Sequence, residues 1–274
     1  MTADAPTALV TGASSGIGQR TARLLADHGY RVFGTSRGDR ADEPGVEMLR
    51  LDVRSDESVA GCIDEIRARA DHLDVLVNNA GVLHEGFAEE TPLADAAEVF
   101  DTNLFGIARV TNAVLPAMRA RRRGRIVNVG SLAAWVGEPG EAFYAASKAA
   151  LARYTEALHH EVLHLGVVVS LVEPGAFTTN VLDVATTTPG RIADYDGPRE
   201  TARDTLHESL QRGGDPQQVA ELILRIVRTR SPKLRYVAGR DGRWLPHLRT
   251  LLPQRVFDHL LRRSFHLPKA PADV

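Results

Sequence analysis

The chain of 274 residues contains a single cysteine, Cys62, which excludes an intramolecular disulfide framework. A lone thiol suits a reducing compartment, so the expected location is the cytoplasm. No charge of one sign dominates: 33 Lys and Arg stand against 35 Asp and Glu, a formal net charge of -2. Such a balance gives no footprint for nucleic acid, and none is expected as a partner. The charged-then-apolar order of a secretory signal is missing, and no apolar run approaches the roughly 20 residues of a membrane span. There is no internal repeat and no low-complexity block. The remainder is ordinary globular composition, 43% hydrophobic, in a chain long enough to bury a sizeable core.

The most informative stretch near the start is Thr11-Gly12-Ala13-Ser14-Ser15-Gly16-Ile17-Gly18. A short apolar run, Thr7–Val10, leads into it, and a helical pattern of Ile17, Ala22, Leu24 and Leu25 leaves it. Strand, glycine loop and helix form the setting of a dinucleotide-binding turn. Glycine lets the backbone approach a pyrophosphate, and a helix N-terminus offers free N–H groups and a favourable dipole. The spacing is G-x-x-x-G-x-G rather than G-x-G-x-x-G, so a glycine-rich turn without a ligand is the competing reading. A second strand, Arg31–Ser36, ends at Arg37 with no carboxylate before Asp39. At this strand tip an acid favours NAD, whereas an arginine accommodates the 2′-phosphate of NADP. Ser36 and Arg37 therefore predict NADP(H), against the alternative of a surface arginine at a strand end.

Tyr144 and Lys148 lie four residues apart, on one face of a predicted helix. An ammonium beside a phenol favours the phenolate, which would make an acid–base group usable near neutral pH. Alone the pair carries little weight, since the same spacing arises by chance on solvated helix faces. Further strands are predicted at Val46–Leu51, Asp74–Val77, Arg125–Val129, Val167–Val172 and Leu234–Ala238. Helices are predicted from Ser55 to Arg69, as a pair between Thr91 and Ala120, and after Asp215-Pro216, an N-cap followed by proline. Cys62 reads as a packing residue, and His84 as an exposed loop residue or a substrate contact. The arginines at 119, 121, 122, 123 and 125 are accounted for by helix-dipole compensation and solvation.

Several of these segments carry one family's motifs in order. The first loop reads T-G-x-x-x-G-x-G; Asp52-Val53 follows the third strand; Asn78-Asn79-Ala80-Gly81 follows the fourth. Asn103 sits in Asp101–Gly106. Ser131 precedes Tyr144 by 13 positions and follows Asn103 by 28, and Pro174-Gly175 stands after the sixth strand with Thr178 and Thr179 beyond. From about residue 6 to 180 the chain resembles the short-chain dehydrogenase/reductase family.

That resemblance implies a single-domain, doubly wound Rossmann fold over residues 1–274, with a parallel seven-stranded sheet and helices on both faces. It also implies an Asn103, Ser131, Tyr144 and Lys148 catalytic set. In it Ser131 polarises a carbonyl, Tyr144 transfers the proton, Lys148 lowers the tyrosine pKa and holds the nicotinamide ribose, and Asn103 anchors a water relay. The cofactor NADP(H) would lie on Gly12, Ser14, Ser15, Gly16, Ile17, Gly18, Ser36, Arg37, Asp52, Val53, Asn79, Ala80 and Gly81. Its nicotinamide end would meet Tyr144, Lys148, Pro174, Gly175, Phe177 and Thr178.

The implied activity is an NADPH-dependent carbonyl reductase interconverting a ketone and a secondary alcohol. The alternatives are an alcohol dehydrogenase working mainly in oxidation and a non-catalytic NADP(H) sensor. Leu132, Trp135 and Phe143, with Ser131 and Tyr144, would line a pocket for a bulky lipophilic substrate. Residues 180–214, rich in threonine, charge and Gly-Pro turns, read as a substrate lid. The segment 243–274 reads as an amphipathic extension, similar to those of hydroxysteroid and retinol dehydrogenases, that would cap the pocket, form an interface or touch a membrane. Homodimers or homotetramers are the family expectation.

Overall fold

Seven short segments form one parallel sheet in the computed structural model, which describes residues 5–182, 185–188, 191–239, 242 and 244–268. The strands are β1 (Thr7–Val10), β2 (Arg31–Ser36), β3 (Val46–Arg50), β4 (Val75–Asn78), β5 (Gly124–Val129), β6 (Val167–Pro174) and β7 (Arg235–Ala238). They lie in the order β3-β2-β1-β4-β5-β6-β7, every pair parallel. The helices are α1 (Gly16–Asp27), α2 (Asp56–Arg69), α3 (Leu93–Phe100), α4 (Ile107–Ala120), α5 (Ala142–Leu163), α6 (Asp196–Gln211), α7 (Gln217–Arg228), α8 (Leu245–Leu251) and α9 (Gln254–Ser264). This is the expected doubly wound Rossmann arrangement, and the predicted strand ends are met to within about two residues.

Alternation along each strand divides the core into two layers. Ala8 and Val10 join Val32, Val77 and Ile223 on the α1/α7 side, whereas Leu9, Phe33, Leu76 and Ile126 pack with Val110, Met118 and Leu158 on the other. A polar chain runs along the α4/α5 face of the sheet. Asn78 Nδ2 donates to Thr111 Oγ1 at 3.0 Å and to Asn128 Oδ1 at 2.9 Å, and Asn128 Nδ2 donates to Thr155 Oγ1 at 3.0 Å. These bonds tie the sheet centre to α4 and α5 and pair both Nδ2 groups, while the buried Asn78 Oδ1 has no partner among the described residues.

Local signals explain the helix starts. Ser55 caps α2 by accepting from Ser58 N–H, with Asp56 and Glu57 in the first turn. Asp215 accepts from Gln217 N–H at the start of α7. The two helices predicted between 91 and 120 are joined by a π-helical turn, Asp101–Gly106, not by a loop. The strand order reverses between β1 and β4, and this opens a crevice at the carboxyl ends of the strands.

The second half adds two further helical regions to the sheet. The described part of 180–214 is largely ordered: it carries α6 and a two-residue ladder, Thr186–Thr187, paired with His84–Glu85. In the tail α8 and α9 meet at a break before Pro253, with Phe257 buried but Trp244 and Leu251 well exposed. Among the described residues none of the tail lines the crevice. Residues 183, 184, 189, 190, 243 and 269–274 of these two segments lie outside the described residues. No described helix is long and apolar enough to cross a membrane.

Candidate active site

The crevice is a cleft of about 310 Å³, lined by the loops that follow strands β1 to β6. Its floor is the glycine loop. Gly12 has φ +66°, and a Cβ there would stand 2.9 Å from Ala80 Cα, so only glycine lets the two loops touch. Asn79 Nδ2 donates to the carbonyls of Thr11 and Gly12, both at 3.0 Å, and Thr11 Oγ1 accepts from the N–H groups of Asn79 and Ala80. Gly18 lies beneath this contact, facing Gly12 O, and is a packing residue outside the cleft lining. Ser15 caps α1 with no side-chain bond, and the first turn of α1 holds no acid. The positive end of α1, flanked by Ser14, Ser15, Gly16 and Ile17 in the lining, thus fits an anionic pyrophosphate.

At the β2–β3 end Ser36, Arg37, Asp52, Val53 and Arg54 line the cleft. The Ser36 hydroxyl donates to Gly38 O, so the exposed Arg37 guanidinium, rather than Ser36, is the donor free to meet an anion here. Burial raises the Asp52 carboxyl, but a 3.0 Å bond from Arg54 N–H and the Arg54 side chain outweigh it, so its pKa falls below the usual value. Arg54 was not singled out in the sequence. The signal was available: it stands two residues beyond the aspartate at a strand tip.

Ser131, Tyr144 and Lys148 meet at the opposite end, beside Gly81, Pro174, Gly175 and Phe177. Ser131, two residues beyond β5, caps the short turn Leu132–Ala134 by accepting from Ala133 N–H at 3.1 Å. Tyr144 and Lys148 project from successive turns of α5. Lys148 Nζ donates to Val129 O at 3.2 Å and lies 5.7 Å from the Tyr144 ring centre. Burial pushes the Lys148 ammonium down to about 8.

The Tyr144 phenol departs from the sequence expectation. Burial raises its pKa, the neighbouring Glu141 raises it further, and the hydrogen bond with Ser131 is the opposing influence. The balance of these influences favours the protonated phenol. Asn103 also differs in its partners. Its Oδ1 accepts from Val82 N–H at 2.9 Å, and its Nδ2 donates to Val82 O at 3.0 Å and Ser147 Oγ at 3.1 Å. Fully buried in the π-helical turn, the amide pins the loop after β4 to α5 and has no donor left for a water.

Four predicted site residues, Leu132, Trp135, Phe143 and Thr178, stand outside the cleft lining. The Trp135 indole N–H donates to Glu173 Oε1 at 3.1 Å, while Arg235 stacks over its ring at 4.5 Å, so Trp135 belongs to a half-buried seam and not to the cleft lining. Arg235 also donates to Glu173 Oε1 at 2.7 Å and to Glu156 Oε1 at 3.0 Å. Thr178 turns its hydroxyl to the carbonyls of Leu210, Gln211 and Gly213, and Thr179, Asn180 and Val181 line the cleft in its place. Phe143 is half-buried and Leu132 buried, both outside the lining. His84 is buried rather than exposed, its ring nitrogens bonded to Thr186 Oγ1 at 2.9 Å and Thr188 Oγ1 at 3.0 Å.

The family profile described as short chain dehydrogenase matches residues 6–189. The chain belongs to that family. Short-chain dehydrogenases are oxidoreductases that act on CH–OH and C=O groups with a nicotinamide cofactor. A 3-ketodihydrosphingosine reductase from Bacteroides thetaiotaomicron is 34% identical, over 91% of this chain and 96% of the relative. Retinol dehydrogenase 8 from Bos taurus is 38% identical, over 85% of this chain and 81% of the relative. Among solved structures, a short-chain dehydrogenase from Streptomyces avermitilis superposes with a TM-score of 0.82 at 33% identity, covering 96% of this chain and 99% of that one. The closed form of a serine dehydrogenase complexed with NADP+ gives 0.72 at 25% identity, over 85% and 94%.

Proposed function

We propose that this short-chain dehydrogenase is an NADPH-dependent carbonyl reductase whose catalytic groups are Ser131, Tyr144 and Lys148. The observation that carries the reading is their convergence at one end of a cleft whose other end offers Arg37. Bound NADPH supplies the hydride. Ser131 hydrogen-bonds the substrate oxygen and stabilises the charge that develops there. Tyr144, held protonated by burial and Glu141, delivers its proton to that oxygen. Lys148 donates to Val129 O and has two further ammonium protons for a ribose hydroxyl and the tyrosine oxygen. Asn103 acts by fixing the loop after β4 against α5.

The 2′-phosphate would lie on Arg37, with Arg54 beside it, and a relative solved with NADP+ supports that choice. The described part of 180–214 covers the substrate end as one unit with the sheet, and assembly into homodimers or homotetramers belongs to the same reading. The test is loss of NADPH absorbance with purified protein over ketones from small aryl ketones to steroids, with NADH in parallel. Turnover with preference for NADPH supports the reading. NADPH binding without turnover of any ketone, but with oxidation of the matching alcohols by NADP+, would reverse the direction. Silence in both directions would leave a cofactor sensor.

A further inference from the structure

A second cavity of about 340 Å³ lies beside the cleft, bounded by the loop after β4, the residues leading into α5, and α6. Three stretches of chain wall both spaces. Leu83 lines the cleft and Glu85 the second cavity. Tyr144 lines the cleft, and Gly140, four residues earlier, lines the second cavity. On α6 the same relation holds between Leu210 and Leu206, one turn apart. The Gly86 N–H donates to Gly140 O at 2.8 Å and ties two of these walls together. The two spaces are neighbouring compartments at the Tyr144 end.

The second compartment has an apolar wall of Phe87, Pro139, Ala202 and Leu206. Most of its charges are matched. Arg199 Nε donates to Glu90 at 2.8 Å, His207 Nε2 stands 3.0 Å from Glu85, and Arg191 lies 3.7 Å from Glu200. Glu138 and Glu141 flank Pro139-Gly140 without lining the space, and burial favours the neutral form of Glu141. Arg203 is the exception: it is exposed, it lines the cavity, and it has no ion pair among the described residues.

We infer that this cavity is the distal compartment of the substrate site, and that the substrate is an elongated carbonyl compound ending in a carboxylate. The inference rests on the reductase reading. The carbonyl lies at Ser131 and Tyr144, the apolar chain passes Leu83 and Leu210 to lie against Phe87 and Leu206, and the carboxylate reaches Arg203. An arginine is suited to that end group because its planar fork matches a carboxylate in two parallel bonds.

Steady-state NADPH oxidation with methyl ketones of increasing chain length tests this, each length ending in a carboxylate, its methyl ester or an ammonium group. A short aryl ketone serves as the common reference. In the wild type kcat/KM should rise with chain length, and the acids should exceed the esters by about threefold to fivefold, the scale of one partly exposed ion pair. Arg203→Ala should erase the acid–ester difference while leaving turnover of the aryl ketone unchanged. Leu206→Phe, which fills the compartment, should lower kcat/KM for the long members alone. Acids no better than esters, ammonium ends preferred, or an acid preference surviving in Arg203→Ala would each overturn the inference with the reductase reading intact. No turnover of any ketone, the aryl reference included, would overturn the reductase reading and this inference with it.

Discussion

The two sides of the cleft are held by different chemistry. On the cofactor side the loops after β1 and β4 lock through backbone groups, the Asn79 amide and the Thr11 hydroxyl, with glycine wherever a Cβ would collide. On the substrate side the cover is tied down by charges and hydroxyls. Arg199 bonds both Glu90 and Asp196, Glu90 also accepts from Ile192 N–H at 2.7 Å, and Thr91 shares a bond with Thr188. Phe87 meets Tyr195 edge to face at 5.3 Å. Close backbone packing is indifferent to salt and pH and can adopt one arrangement only. Ion pairs respond to both, less where they are enclosed as Arg199 and Glu90 are, and can be exchanged in small steps. The cofactor loops therefore suit an invariant ligand, and the cover suits a substrate that must enter and leave.

The sharpest way to break this comparison lies where the two sides meet. Tyr144→Phe should lower kcat by about 10²- to 10⁴-fold, the usual contribution of a positioned proton donor, with NADPH affinity by fluorescence titration near the wild-type value. Retained turnover would remove Tyr144 from the mechanism. The next effect concerns Lys148, whose burial depresses its pKa from 10.5 to about 8. Between those values the unfolded chain binds more protons than the folded one, so this group makes stability rise with pH from about 8 to 10.5. The full contribution is about 3 kcal/mol, and the burial penalty is complete below pH 8. Urea denaturation of the wild type and Lys148→Met at pH 7.5 and pH 9.5 checks it: the gap between the two proteins should narrow or reverse as pH rises. Equal gaps at both pH values would show that Lys148 is not desolvated.

Arg37→Asp should shift cofactor preference toward NADH by about tenfold or more, since a charge-assisted phosphate contact is replaced by repulsion. An unchanged ratio of kcat/KM values would mean that the phosphate is bound elsewhere, with Arg54 the next candidate. The smallest effect should be the most local. Arg199→Ala should speed hydrogen exchange in α6 by about tenfold, the scale of a lost bond to a charged group, and leave β1 and α1 unaltered. Equal acceleration on both sides would erase the distinction between them.

The cofactor side was legible because its information is local. Thr11 to Gly18 specifies a turn, Asn78 to Gly81 specifies its neighbour, and each short apolar run has one compatible place in a parallel sheet. The substrate side was not legible, and the reasons are physical. Helix α6 has one buried residue, Ala202, so its sequence shows little apolar periodicity and reads as a loop. Its anchors are far apart in the chain: Glu90 and Arg199 are 109 positions apart, and His84 and Thr186 are 102 apart. Trp135 was assigned to the pocket for its apolar ring, whereas a buried indole N–H needs an acceptor, and Glu173 provided one. The proposed catalytic set of Ser131, Tyr144 and Lys148 was legible through the resemblance to the family. The raised pKa of Tyr144 was not, because Glu141 and the enclosing walls become neighbours only in three dimensions.

The half-buried seam of Glu173, Arg235 and Trp135 bears on where the folding unit ends. The family match stops at residue 189, yet Glu173 in β6 is fully buried and takes two bonds from Arg235 in β7. Arg235→Ala would leave that carboxylate buried without a counter-charge, at about 3 to 5 kcal/mol. That is a large share of the margin by which a domain stays folded. During synthesis the first six strands would thus be complete in composition but not in charge, and the sheet would close only when residue 235 arrives. The last strand to be made holds the charge that lets the earlier ones stay buried.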